Sequence, residues 1–260
     1  MNKSILELHG KYFKALDEKL IELHNESQKR GRPISNYYSG LLPMFYRDKT
    51  PQNGQILITG INPSFSNSFY KSIDNAIFSY DSFLKQSLVE QEATIEKLIG
   101  IQDSLIHGSE FNENELKQID YFNKIECFLN KVGYSGNWDH CDVFPVRCTS
   151  QQIFLKALNQ IKEYKSKLID LYIDHLKVNK YKLVFVFNSK ASLFIRNNLD
   201  LMPVKVDIFS RNKTYGFYQC EHLPGTMFFL FKMLSGQNPP LKEEKETLIE
   251  VVSAYLQNGK

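Results

Sequence analysis

Apolar positions along this chain switch between two rhythms, and the switches mark its elements. Over residues 3–28, Ile5, Leu8, Leu16, Leu20 and Leu23 recur at helical spacing among charges, which predicts an amphipathic helix. Gly31, Pro33, Gly40, Pro43, Pro51 and Gly54 make the segment 29–54 a long connection, and Tyr37, Tyr38, Phe45 and Tyr46 are the residues that would pack it down. An uninterrupted run, Ile56-Leu57-Ile58, predicts a buried strand over about 55–60. It ends in the turn Gly60-Ile61-Asn62-Pro63-Ser64.

Residues 66–113 are polar, with a weak helical pattern near 83–101 and no strand rhythm, and read as an insertion or lid. A clearer helix follows over 114–132, where Leu116, Ile119, Phe122, Ile125 and Leu129 repeat at three and four and Gly133 stands at the C-cap position. A second strand is expected near 139–146 and two helices over 151–178. Lys182–Phe187, KLVFVF, is the strongest strand, and Asn188-Ser189 cap a short helix through about Asn197. Val204–Phe209 and Tyr215–Glu221 read as strands around a turn at Arg211-Asn212-Lys213. The chain then turns at Glu221–Gly225 into an expected apolar helix, 226–235, and 241–257 reads as a C-terminal helix.

Strands alternating with helices of ten or more residues predict an α/β fold with a mainly parallel sheet covered on both faces. The simplest division is an N-terminal helix and packed connection (1–54), an α/β domain (55–237, with 66–113 inserted) and a C-terminal helix (238–260). Composition narrows the class. Hydrophobic residues make up 42% of the 260, enough for a sizeable core, and the formal net charge of +3 neither announces nor excludes a nucleic-acid partner. Cys127, Cys141, Cys148 and Cys220 form no CxxC pair, no signal-peptide pattern opens the chain, and no apolar run approaches the ~20 residues of a membrane span. The expectation is a soluble cytoplasmic protein with reduced thiols, no membrane association and a monomeric state.

Candidate chemistry gathers at strand ends. Asn62 follows the first strand, Arg147 the second and His222 the last; in a parallel sheet these ends point the same way, so the three could share one crevice. Asn62 stands before Pro63, which narrows its backbone. Plainer readings stand beside these: a tight turn whose Asn bonds its own backbone, a histidine that caps a turn, an arginine in a surface ion pair. Phe228-Phe229-Leu230-Phe231 reads as core, and the lysine-rich stretch 162–167 as a solvated helix face. His140 and Asp142 lack the further ligands a metal site needs.

The order of elements resembles the uracil-DNA glycosylase superfamily. GINPS at 60–64 is similar to the first motif of its mismatch-specific and thymine-type branch, GINPG, whose Asn positions water. YFNKIECFLNKVGY at 121–134 resembles that branch's following helix, and DVFPVRCT at 142–149 its second strand with an Arg-x-Thr turn. LVFVFNSKAS at 183–192 looks like the strand and helix that carry Gly-x-x-Ala, with Asn188 for the Gly. EHLPGTM at 221–227 stands where the family has His-Pro-Ser.

The resemblance covers about 55–235 and implies a three-layer α/β/α sandwich that hydrolyses the N-glycosidic bond of a DNA base without metal or cofactor. That reaction leaves the sugar cationic and the base anionic, so it needs positioned water on one side and donors on the other. By resemblance, Asn62 holds the water, His222 faces the base or a phosphate, and Gly60, Ile61, Pro63, Ser64, Phe65, Phe144, Arg147 and Asn188 surround the base. Leu223, Pro224, Gly225, Thr226 and Met227 would touch DNA, with Leu223 or Met227 as the wedge that replaces a flipped base.

Ser64, Asn188 and Leu223 depart from the family pattern, which motivates a second reading: a catalytically silent member that binds nucleic acid or a protein. A third reading, a nucleotide- or nucleoside-processing enzyme acting on free small molecules, is disfavoured because neither a GxxxxGKS nor a GxGxxG motif is present.

Overall fold

In a computed structural model the described residues are 2–29, 43–45, 56–61, 79–107, 120–148, 150–210, 213–232, 234 and 240–258. Six strands, β1 (Ile56–Gly60), β2 (Trp138–Asp142), β3 (Leu183–Phe187), β4 (Met202–Ser210), β5 (Lys213–Gln219) and β6 (Met227–Phe231), form one sheet in the order β2-β1-β3-β6-β5-β4. The described helices are α1 (Asn2–Lys29), α2 (Tyr80–Leu84), α3 (Leu88–His107), α4 (Asp120–Lys131), α5 (Gln151–Gln160), α6 (Lys162–Asn179), α7 (Ser189–Asn198) and α8 (Lys242–Asn258).

β1 and β3 run parallel with Thr59 opposite Val186, and β3 and β6 run parallel with Phe185 opposite Phe229. β5 is antiparallel to both β6 and β4, so β1, β3, β6 and β4 share one direction and β5 opposes them. The protein is thus α/β with a mostly parallel central sheet.

Within the apolar run 226–235, expected as a helix, Met227–Phe231 is instead the strand β6. MFFLF contains no polar residue, so its period carries no signal. All four residues Phe228–Phe231 are buried between two neighbouring strands. A strand buried on both faces reads as a continuous apolar run.

The chain divides into two compact units interleaved in sequence: Met1–Asp48, Ile61–Gln102 and Asp142–His175 form the first, and Lys49–Gly60, Asp103–Cys141 and Leu176–Lys260 the second. In the second, residues of one strand parity (Ile56, Ile58, Leu183, Phe185, Phe187, Phe229 and Phe231) pack with Ile125 and Leu129 of α4 and Leu248 and Val252 of α8. Strand residues of the other parity, including Val184, Val186 and Leu230, are equally buried, and α7 lies against β3 and β6. α4 ends as predicted: Gly133 takes φ +77°, its N–H reaches Asn130 O and the Tyr134 N–H reaches Leu129 O. Those two bonds form the glycine-closed turn that satisfies the last carbonyls of a helix.

In the first unit, α1 buries Ile5, Tyr12, Leu16 and Leu20 and packs on α5, with Tyr12 stacked on Tyr164 at 5.0 Å between centroids. A smaller cluster joins Phe45, Tyr80, Phe83 and Leu98. Phe45 is therefore packed down as its connection predicted, while Tyr37, Tyr38 and Tyr46 lie outside the described residues. No described helix is long and apolar enough to cross a membrane.

Candidate functional site

The sheet order places a topological switch between β1 and β3. The chain leaving β1 next enters the sheet on one side, as β2, whereas the chain leaving β3 proceeds to strands on the other side. Ligands of open α/β sheets bind outside the carboxyl ends of strands at such a point. Gly60, partly buried, closes β1 there. The preceding residue, Thr59, is buried and its Oγ1 donates to Cys141 O at 2.6 Å, tying β1 to β2.

Asn188 follows β3 and is the N-cap of α7: its Oδ1 accepts from the Lys190 and Ala191 N–H groups at 2.9 and 3.0 Å. Ser192, one turn into α7, donates to Phe231 O at 2.8 Å and lies 3.2 Å from Val186 O. The side-chain oxygen of Asn188 thus serves the helix, which the sequence anticipated, and a base-binding role would compete with that bond.

In the first unit, Ile61 is buried and its carbonyl accepts from the Phe144 N–H at 2.8 Å. Phe144 is fully buried, with its ring edge-on to Phe154 at 5.6 Å, so its face belongs to the core rather than to the wall of an open pocket. Arg147 is partly buried in the same connection. Asn62, Pro63, Ser64 and Phe65 lie outside the described residues.

His222 does not sit where the sequence reading puts it. Its turn precedes β6, and it is held by Thr226 Oγ1 donating to Tyr181 O at 2.8 Å and by the Met227 N–H on Lys182 O at 2.9 Å. Tyr181 and Lys182 lead into β3, so the turn lies at the amino edge of the parallel strands, opposite the end of β1. The expectation failed because β5 runs antiparallel, and its carboxyl end meets the amino end of β6.

The assigned DNA contacts move with it. Leu223 is buried and cannot serve as an exposed wedge; Thr226 is buried with its hydroxyl occupied; Pro224 and Gly225 are exposed and Met227 is partly buried, all at the amino edge.

Sequence reasoning missed a cluster of rings beside β2. His107 packs edge-on to Trp138 at 4.6 Å, and His140 edge-on to Phe122 at 4.8 Å. Burial, with a smaller contribution from His107, pushes the His140 imidazole down to about 3. Asp139 accepts from Tyr181 Oη at 3.1 Å and from the main-chain N–H of His140 at 2.8 Å. Burial also pushes the Cys148 thiol up, and none of the four cysteines is in a disulfide. Among the described residues no group of three or more His, Cys, Asp and Glu side chains is placed to hold a metal ion. No protein-family model matches the chain, and no curated protein matches its sequence.

Proposed function

We propose that this protein is a uracil-DNA-glycosylase-like hydrolase, an α/β/α sandwich of that type acting on a base in DNA. The observation that carries the reading is the place of Gly60, the first residue of the GINPS motif, at the carboxyl end of β1 beside β3, where the connections diverge. Asn62 holds a water through its amide oxygen. The water oxygen attacks the anomeric carbon, the bond to the base nitrogen breaks, the base leaves with the bonding electrons, and the proton shed by the water ends on the departing base anion. Backbone donors near Ile61 and the Arg147 guanidinium are assigned to the developing negative charge and the adjoining phosphate. His222 has no part in this scheme.

The purified protein and its Asn62→Ala variant, offered oligonucleotides with uracil, hypoxanthine or mismatched thymine, test it. The expected result is base release by the wild type and a loss of about a hundredfold or more in the variant, the scale on which misplacing a reacting group slows a reaction. Absence of release from every substrate by the wild type overturns the hydrolase.

A second reading, a silent nucleic-acid binder of the same type, is favoured by His222 standing at the opposite edge and by Asn188 capping α7. Binding whose strength falls steeply with salt, without base release, supports it. An absence of binding overturns both readings.

A further inference from the structure

Gln102, near the end of α3, carries a buried side-chain amide used on both sides. Its Oε1 accepts from the Phe45 N–H at 3.2 Å and its Nε2 donates to Phe45 O at 3.0 Å. A side-chain amide that pairs with both main-chain groups of one residue imitates a neighbouring β-strand. The next residue back, Met44, donates its N–H to Pro145 O at 2.7 Å, and Phe144 donates its own to Ile61 O at 2.8 Å. Three otherwise irregular segments, at 44–45, 144–145 and 61, are thus bonded in succession, and Gln102 closes the row where a further strand would stand.

Every member of the row is buried except Met44, which is partly buried. Bonds of this kind are worth most when unmet partners would be left away from water. Packing reinforces the row: Phe45 inserts among Tyr80, Phe83 and Leu98, so α2 and α3 grip the segment from its side-chain face while Gln102 grips its backbone.

We propose that Gln102 is a positioning residue for the backbone of Ile61, the residue that leads into Asn62, acting through Phe45, Met44, Pro145 and Phe144, so that α3 serves as a buttress and not as a lid. The inference rests on the reading of Asn62 as the reactive residue. It assigns a task to the described part of the inserted segment, which the sequence left open. Gln102 is assigned no contact with the substrate; its bonds are to the main chain of Phe45. It sets the backbone that leads into Asn62 and shares the row with the connection that carries Arg147.

The experiment compares Gln102→Met, which removes both bonds at similar volume, with Gln102→Glu, which keeps an acceptor for the Phe45 N–H, by amide hydrogen exchange of the full chain. In Gln102→Met the amides of Phe45, Met44 and Phe144 are expected to exchange about fivefold faster or more, the factor of one net hydrogen bond, while β3 amides stay as protected as in the wild type. Gln102→Glu should fall between the two. Acceleration confined to Phe45 overturns the proposal, because the effect then never reaches the site. Uniform acceleration across α1, α2 and α3 overturns it too, because Gln102 then holds only the body together.

In the base-release assay the Met variant is expected to lose kcat about tenfold with KM unchanged, as for an interaction that matters in the transition state alone. A rise in KM at full kcat overturns the positioning role. An inactive wild type overturns the hydrolase reading instead, and exchange at Phe144 still decides whether the row is coupled.

Discussion

Two polar residues at strand ends, Asn188 and His222, show how backbone direction sorts side chains into chemistry or structure. Asn188 stands at the carboxyl end of β3 but spends its oxygen on two helix N–H groups. His222 is exposed, yet at the amino edge. His222→Ala is therefore expected to change stability by less than about 0.5 kcal/mol, as for an ordinary surface position, and to leave any base release within about twofold of wild type. A tenfold loss in that assay would return the histidine to the reaction and contradict its placement. The identity of Asn188 as a cap was legible because Asn, Ser, Asp and Thr before a helix repay the same unmet N–H groups wherever they occur. The edge on which His222 falls was not legible, since it depends on the direction of β5.

At the scale of elements, the caps and strand pairings carry separable energies. Asn188→Ala should lower the stability measured by urea unfolding by about 1 kcal/mol, with Asn188→Asp close to wild type, because only the first leaves the Lys190 and Ala191 N–H groups without their acceptor. Equal losses in both variants would mean that the amide nitrogen, not the capping oxygen, matters there. The helices α1, α5, α6, α7 and α8 and the strands β1, β3, β4 and β5 were readable to within a few residues, since amphipathic spacing, caps and turn residues are local signals. β6 was misread as a helix. Its five apolar residues fit either element, and pairing with β3 and β5 chose between them.

For the whole molecule, buried imidazoles couple folding to pH. Burial, with His107 adding to it, holds His140 down at about 3, and burial holds His175 down at about 4, against an ordinary 6.5. Between those values and 6.5 the unfolded chain binds protons that the folded chain does not. Stability is therefore fully present above about pH 6.5 and falls as pH drops, by up to about 1.4 kcal/mol per unit for each histidine. Urea unfolding at pH 7.5 and pH 5 should show the midpoint falling at the lower pH, with His140→Gln reducing the fall. A midpoint unchanged across that range would contradict the burial of both rings.

What the sequence by itself determined is whatever neighbours along the chain decide: helix faces, the glycine-closed end of α4, the cap of α7 and the buried run of β3. What only the tertiary structure decided is whatever depends on residues far apart. β6 became a strand because β3 and β5 hold its backbone bonds, and the antiparallel β5 carried His222 to the amino edge. The row from Gln102 to Ile61 joins segments separated by 57 positions at its Gln102–Phe45 contact. Such contacts leave no period or motif in the chain, because each residue in them satisfies a backbone group that its sequence neighbours cannot reach.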